Sequence, residues 1–269
     1  MAETLPLSLC VITRDAADEL PACLRSAAFA ADIVVVDSGS RDDTVETARR
    51  LGARVVEHPW QGFGPQKQFA VANAQYDWVL CLDADERVTP ELAAALSALF
   101  RPGPPPASAY AIARRNRFLG RWLAHGEGYP DWNLRFFDRR YARWSNDAVH
   151  ERVIIDGAPT HLAGDLLHES AESLTQYVAK QNRYTTLQAQ VMHARGEDAG
   201  FTQIALAPLA RFLRLYVFRL GFLDGTAGFA HIAVGAFASF LKYAKLRALN
   251  VSARQNADDE ALDDSENRP

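Results

Sequence analysis

The first hundred residues alternate between short apolar runs and segments whose apolar positions recur at helical spacing. Leu7–Thr13 is continuously apolar, which is typical of a strand covered on both faces. Asp18–Ala28 repeats its apolar positions at Leu20, Cys23 and Leu24, which predicts a helix. The alternation continues with strands at Ile33–Val36, Arg54–Glu57 and Trp78–Leu82 and helices at Asp43–Leu51, Gln66–Ala74 and Pro90–Phe100. This order predicts an α/β fold with a doubly wound, mostly parallel sheet, whose ligands bind beyond the carboxyl ends of the strands.

The second half is less regular and ends in helices. A proline-rich connector, Arg101–Ser108, separates it from the first half. The pattern predicts strands at Tyr110–Phe118, Asn133–Asp138, Val149–Ile155 and Thr160–His168, then helices at Ser173–Arg195, Pro208–Leu220 and Ala227–Leu249. We therefore expect an α/β domain over residues 1–170, with halves at 1–100 and 109–170. A helical extension over residues 171–249 follows it.

Charge is distributed unevenly along the 269 residues. The formal net charge is −4, and residues 250–269 alone sum to −4. Such a composition predicts a disordered acidic tail over 250–269 and excludes a nucleic-acid binder with a large basic footprint. Residues 207–249 carry six bases against Asp224 alone, which favours an anionic membrane surface as the partner of the helical extension.

The helix predicted at Pro208–Leu220 is amphipathic. It places Leu209, Leu213, Tyr216 and Leu220 opposite Arg211, Arg214 and Arg219, as in helices that lie at a bilayer surface. Packing of these helices on the α/β domain explains the same pattern equally well. The weakly polar run Thr226–Leu241 is short for a spanning helix, so we expect a peripheral protein at the inner face of the cytoplasmic membrane.

Three cysteines without metal-ligand spacing, Cys10, Cys23 and Cys81, are expected to be buried, reduced thiols.

Carboxylates follow two of the predicted strands. Asp83 and Asp85 come directly after the fourth strand, where one can bind a cation and the other sugar or ribose hydroxyls. Hard cations such as Mg²⁺ or Mn²⁺ prefer oxygen ligands and often share them with substrate phosphates. Asp37 ends the second strand, where it can accept a hydrogen bond from a base N–H such as uracil N3. His150, His161, His168 and Glu169 match no standard zinc spacing.

Several segments together resemble glycosyltransferase family 2 enzymes of the GT-A fold, and within them the bacterial lipopolysaccharide core β-1,4-glucosyltransferases that act on heptose. These segments are LSLCVITRD, IVVVDSGSRDDTVETARRLGARVVEHPWQGFGPQKQFA, WVLCLDADERV, GYPDWNLRFFDRR, VHERV, GFLDG and FLKYAKL. The resemblance extends from about residue 7 to 246. One departure is Ala16, where a glutamate often follows the first strand.

The resemblance implies a role for each site residue. Asp37 would recognise uracil, Thr13 and Asp15 would lie near the nucleotide, Asp83 would contact ribose or sugar, and Asp85 would hold Mg²⁺ or Mn²⁺. Lys67 would face the donor, and Arg135 would bind diphosphate or an acceptor phosphate through its guanidinium fork.

Two carboxylates compete for the role of general base in an inverting displacement at the anomeric carbon. Glu151 in VHER is favoured by its order along the chain, and Asp131 in GYPDW is the alternative. His150 would orient either carboxylate or contact phosphate.

The predicted activity is a metal-dependent transfer of a sugar, expected to be glucose from UDP-glucose, to a heptose of the lipopolysaccharide inner core. A different lipid-linked or surface-polysaccharide acceptor, and an inactive membrane-binding scaffold of the same fold, are the alternatives. A nucleotidyltransferase would need a glycine-rich, basic triphosphate loop after the first strand, where Thr13-Arg14-Asp15-Ala16 stands.

Overall fold

The computed structural model describes residues 4–147, 151–169 and 173–266. Its strands are β1 (Leu5–Thr13), β2 (Ala30–Asp37), β3 (Arg54–Glu57), β4 (Trp78–Asp83), β5 (Glu86–Val88), β6 (Ala109–Phe118), β7 (Arg121–Trp122), β8 (Asp131–Asp138), β9 (Ala142–Trp144), β10 (Val153–Ile155) and β11 (Thr160–His168). Its α-helices are α1 (Leu20–Ser26), α2 (Thr44–Arg50), α3 (Phe63–Ala72), α4 (Pro90–Phe100), α5 (Leu174–Ala194), α6 (Phe201–Leu213) and α7 (Gly225–Glu266). A π-helical turn, Arg214–Phe218, and a 3₁₀ turn, Gly221–Asp224, lie between α6 and α7.

The chain divides into two compact units. The first comprises Met1–Arg117 and Tyr129–Ser170, and the second comprises Phe118–Gly128 and Ala171–Pro269. The segment 118–128, which the sequence assigns to the acceptor half, is therefore grouped with the C-terminal helices.

The first unit is built on a mixed sheet in the order β3-β2-β1-β4-β8-β6-β11-β5. β1 pairs in parallel with both β2 and β4, and β2 pairs in parallel with β3. β8 enters antiparallel between β4 and β6. The predicted α/β fold with a mostly parallel sheet and a C-terminal helical segment is confirmed. The short strands β5 and β9 were not predicted, because three residues are too few to show a periodicity.

The apolar run of β1 is buried on both faces of the sheet. Leu9 and Val11 belong to one buried cluster, and Cys10 and Ile12 belong to the other. Successive side chains of a strand point to opposite faces, so a strand between two helical layers must be apolar at every position. Cys10, Cys23 and Cys81 are buried and unpaired, as predicted. Burial, followed by the charge of Glu86, raises the pKa of the Cys23 thiol well above its ordinary value.

The second unit contains α5, α6 and α7. The helix α7 continues to Glu266, whereas the sequence predicts a disordered tail over 250–269. Alanine, glutamine and glutamate in this segment favour helix, and extending an existing helix avoids the cost of nucleation. Two stretches, Phe201–Phe218 and Gly221–Gln255, are long and apolar enough to cross a membrane by length and composition alone, the first almost entirely unburied. The weakly polar run Thr226–Leu241, which was expected to be too short to span a membrane, lies within the second of these stretches and ends just before Lys242.

Candidate active site

Three neighbouring strands bring predicted site residues to one edge of the sheet. Thr13 at the end of β1 is in register with Asp37 at the end of β2, and Ile12 is in register with Asp83 at the end of β4. The hydroxyl of Thr13 is buried and has no hydrogen-bond partner among the described residues. A buried hydroxyl without a partner is costly, and it is free to bond to a ligand that enters this edge.

The loops that follow β1 and β2 are joined to each other by hydrogen bonds. Asp15 has a positive φ of 48°, and its backbone N–H donates to Ser40 Oγ at 2.9 Å. The Arg41 N–H donates to Asp15 Oδ1 at 2.7 Å. Asp37 is buried, and Oδ2 accepts the N–H groups of Gly39 and Ser40 at 2.9 Å each, while Oδ1 accepts the Ser40 hydroxyl. Asp37 and Asp15 thus fix the shape of the loops around Thr13.

A buried lysine connects two of the predicted site carboxylates. Lys67 is 5% exposed, and its Nζ lies 3.0 Å from Asp83 Oδ1 and 3.0 Å from Glu151 Oε1. The helix α3 carries Lys67 to this position because Gly64 lets it pack against a backbone carbonyl. A Cβ at Gly64 would lie 2.1 Å from the carbonyl oxygen of Ser145.

Asp83 has a second cationic partner. Arg135 on β8 is buried and donates from Nη2 to Asp83 Oδ2 at 2.7 Å. Burial alone would raise the pKa of Asp83, but the charges of Arg135 and Lys67 outweigh it and hold that pKa well below its usual range. The ring of Trp144 lies 4.9 Å from Lys67 Nζ and 5.8 Å from the Arg135 guanidinium carbon, so it packs against both cations. Arg135 is therefore a partner of Asp83 in this structure, and its expected binding of diphosphate or an acceptor phosphate stays a prediction.

The ion pairs continue to the other candidate base. Arg135 Nη2 also donates to Glu86 Oε1 at 2.9 Å, and Arg114 Nη1 donates to the same oxygen at 3.4 Å. Arg114 then donates to Asp131 Oδ2 through Nε at 3.0 Å and through Nη2 at 2.8 Å. The two candidate bases therefore stand at opposite ends of one network with alternating charges. In order its members are Asp131, Arg114, Glu86, Arg135, Asp83, Lys67 and Glu151.

Asp85 lies outside this network and contacts a histidine. The antiparallel pairing of β5 with β11 places His168 Nε2 3.1 Å from Asp85 Oδ2, while His168 Nδ1 lies 2.8 Å from Asn116 Oδ1. The carboxylate oxygen of Asp85 suits either Mg²⁺ or Mn²⁺, whereas an imidazole nitrogen such as His168 Nε2 fits Mn²⁺ better than the harder Mg²⁺; diphosphate oxygens would complete either set. Within residues 4–147, 151–169 and 173–266, no group of three or more His, Cys, Asp or Glu side chains is arranged to hold a metal by itself.

Sequence reasoning missed three residues of the site and named one that cannot be placed. Glu86 and Arg114 join the two ends of the network, but they look like ordinary strand and turn residues in the sequence. His168 was weighed only by zinc spacing, although its place at the end of a predicted strand was a usable signal. His150 lies outside the described residues.

Known proteins match nearly the whole chain. The sequence profile of Glycosyl transferase family 2 matches residues 8–154. The chain is 32% identical to the lipopolysaccharide core biosynthesis glycosyltransferase LpsC of Rhizobium meliloti over 96% of this chain and 98% of that protein. It is 30% identical to an uncharacterized glycosyltransferase of Rickettsia typhi over 92% of this chain and 89% of that protein. The structure of Staphylococcus aureus TarS 1-349 in complex with UDP-GlcNAc aligns with a TM-score of 0.45 and 14% identity, covering 94% of this chain and 92% of that one. The predicted enzyme class is confirmed, and the chain belongs to glycosyltransferase family 2.

Proposed function

We propose that this glycosyltransferase moves glucose from UDP-glucose onto a heptose of the lipopolysaccharide inner core, with inversion at the anomeric carbon. The similarity to LpsC over almost all of both chains supports an acceptor of the lipopolysaccharide core. The observation that carries the mechanism is the contact of Lys67 with both Asp83 and Glu151, because it joins a donor-side carboxylate to a candidate base.

The donor nucleotide is proposed to bind at the ends of β1, β2 and β4. The unpartnered hydroxyl of Thr13 supports a hydrogen bond to the nucleoside. Asp37 would accept uracil N3–H with lone pairs that its turn does not use, since each carboxylate oxygen can accept more than one hydrogen bond. Asp15 would shape the loop on the other side of the base. Asp83, held by Lys67 and Arg135, would accept ribose or sugar hydroxyls.

Glu151 is the proposed base that takes the proton of the acceptor hydroxyl. Its Oε1 accepts from Lys67, and Oε2 has no protein partner within the described part of the chain. Asp131 also accepts through one oxygen alone, but from two nitrogens of Arg114, and it lies at the far end of the network from Asp83. A positioned base contributes roughly 10²–10⁴-fold to such a step.

Asp85 and His168 are the proposed protein ligands of a divalent cation. When bound, Mg²⁺ or Mn²⁺ would act as a Lewis acid toward the leaving diphosphate, whose negative charge grows in the transition state. Asp85 would supply an oxygen ligand, and His168 would be kept in position by Asn116.

The helical unit is proposed to bind an anionic membrane surface at the inner face of the cytoplasmic membrane, where a glycolipid acceptor would be reached. Exposed Leu209 and Leu213 on α6, with the exposed Arg214 and Arg219 that follow them, support that location. The apolar and charged faces of this segment differ from the predicted ones. Tyr216, predicted on the apolar face, packs against Phe212 and Phe229. Arg211, predicted on the charged face, forms an ion pair with Glu127.

Matched variants of the two carboxylates test the mechanism. Glu151→Gln is expected to lower turnover by roughly 10²–10⁴-fold while UDP-glucose binding by calorimetry remains. Asp131→Asn is expected to keep most of the turnover and lose some stability. If Asp131→Asn loses turnover and Glu151→Gln does not, the base is Asp131.

A panel of nucleotide sugars and truncated core acceptors, with products identified by mass spectrometry, tests the substrates. Turnover only with another acceptor class would support the alternative enzyme, and no turnover with any pair would support the inactive scaffold.

A further inference from the structure

The turn between α6 and α7 presents large apolar side chains to solvent. Phe218 is 79% exposed, and Val217, Leu220, Phe222 and Leu223 are each 45–47% exposed. We name these five residues the turn surface. Large apolar side chains exposed this closely together along the chain indicate an interaction site.

The backbone of the turn is held firmly in this shape. Asp224 is buried and accepts the N–H groups of Ala124 and His125 at 2.9 and 2.8 Å, and its other oxygen lies 3.1 Å from His125 Nδ1. Burial alone would raise the pKa of Asp224, but the hydrogen bonds of His125 lower it. A Cβ at Gly221 would lie 2.8 Å from the backbone carbonyl oxygen of Leu215 as well as 2.2 Å from Ile232 Cδ1, so only glycine fits there without a shift of the backbone. These contacts hold the apolar turn in its exposed position. A frayed end of the chain would have no such network of contacts.

The charges around the turn surface complement an anionic partner. Arg214 and Arg219 are exposed and form no ion pair with the residues that the structure describes. Between residues 199 and 249 the sequence has one acid, the buried Asp224. Protruding phenylalanines need no complementary pocket in a fluid hydrocarbon layer, and phosphates above that layer attract arginine. This combination favours a bilayer of anionic lipids over a protein partner.

We propose that the turn surface inserts into the acyl-chain region of an anionic bilayer, with Arg214 and Arg219 at the level of the phosphates. Leu213 and Leu209 precede Val217 by four and eight residues, so the face they form on α6 would lie along the interface. This proposal rests on the membrane association proposed above. It goes further, because binding through surface charge alone requires no insertion.

Depth-dependent quenching tests the insertion in the full chain. The native cysteines are buried, so a Phe218→Cys variant accepts an environment-sensitive dye selectively. On vesicles of phosphatidylglycerol and phosphatidylcholine, we expect a blue shift and quenching by lipids that carry a spin label on the acyl chain. Val191→Cys on α5, which is also exposed, is the control and is expected to show neither. Phe218→Ser should weaken vesicle partitioning by roughly 10- to 100-fold while turnover of a water-soluble acceptor stays unchanged.

The possible outcomes distinguish insertion of the turn surface from membrane association of the helical unit. Vesicle binding without acyl-chain quenching at position 218 would overturn insertion and leave membrane association standing, as would equal quenching of both labels. No binding of the unmodified protein to anionic vesicles would overturn both. A blue shift without vesicles, together with a dimer in sedimentation, would assign the turn surface to a second copy of the chain.

Discussion

Removing the cation at the centre of the charged network should destabilise the first unit strongly. In an Arg135→Met variant, Glu86 would keep, among the described residues, only the long 3.4 Å contact with Arg114 and the N–H of Asp83 at 3.1 Å. The Glu86 side chain is 0% exposed, so water cannot replace the lost guanidinium. Asp83 would keep Lys67 as a partner.

The expected size of the effect follows from this burial. Removing one member of a buried ion pair costs about 3–5 kcal/mol, because the other charge is left uncompensated. Glu86→Gln should cost less, about 1–3 kcal/mol, since Arg135 keeps Asp83 at 2.7 Å and the amide keeps the shape of the side chain. The double variant should lose less than the sum of the two, by about 0.5–3 kcal/mol.

Urea unfolding followed by tryptophan fluorescence measures these free energies. Trp60, Trp78, Trp132 and Trp144 lie in the first unit and only Trp122 in the second, so the signal reports mainly on the first. Thermal unfolding of Arg135→Met should shift downward by roughly 6–20 °C, at about 2–4 °C per kcal/mol. A loss below about 1 kcal/mol, or additivity in the double variant, would refute the view that these two side chains stabilise each other.

Three further outcomes are expected. Hydrogen bonds from Arg54 and Ser8 outweigh burial and lower the pKa of Asp32 below its ordinary value of 3.8, so the free energy of unfolding should fall as the pH drops below about 4. An Asp32→Asn variant should be less stable at neutral pH and should show a flatter pH dependence in urea titrations; an unchanged slope would contradict this assignment. Gly64→Ala should reduce soluble yield and turnover because of the clash with Ser145, whereas an alanine at Gly157, which has open space around it, should cost only backbone strain. Thr13→Val should leave thermal stability unchanged or slightly higher and weaken UDP binding in calorimetry, and equal affinity would rule out the proposed hydrogen bond.

The sheet and the ends of its strands could be predicted because their signals are local. Apolar runs predicted β1, β2 and β4, and the carboxylates Asp37 and Asp83 are the last residues of β2 and β4. Parallel strands end at one edge of a sheet, so their neighbourhood follows from topology alone.

The contacts within the site could not be predicted because they join residues that are distant in sequence. Lys67 and Glu151 are 84 residues apart, and Arg135 and Glu86 are 49 apart. A sequence pattern shows that a side chain is charged, but whether it is buried with a partner depends on how β8 enters between β4 and β6. The contact of His168 with Asp85 could not be predicted for the same reason, because it depends on the pairing of β11 with β5.

The two aspartates of the short acidic motif have opposite surroundings, and this difference supports the proposed division of their roles. Asp83 is flanked by Lys67 and Arg135, so its charge is already balanced by two cations and it would attract a further cation only weakly. It is better suited to accept hydroxyl hydrogen bonds in a fixed orientation. Asp85 meets no lysine or arginine among the described residues and contacts only the imidazole of His168, so its negative charge remains available. We therefore keep Asp85, and not Asp83, as the proposed carboxylate ligand of the divalent ion.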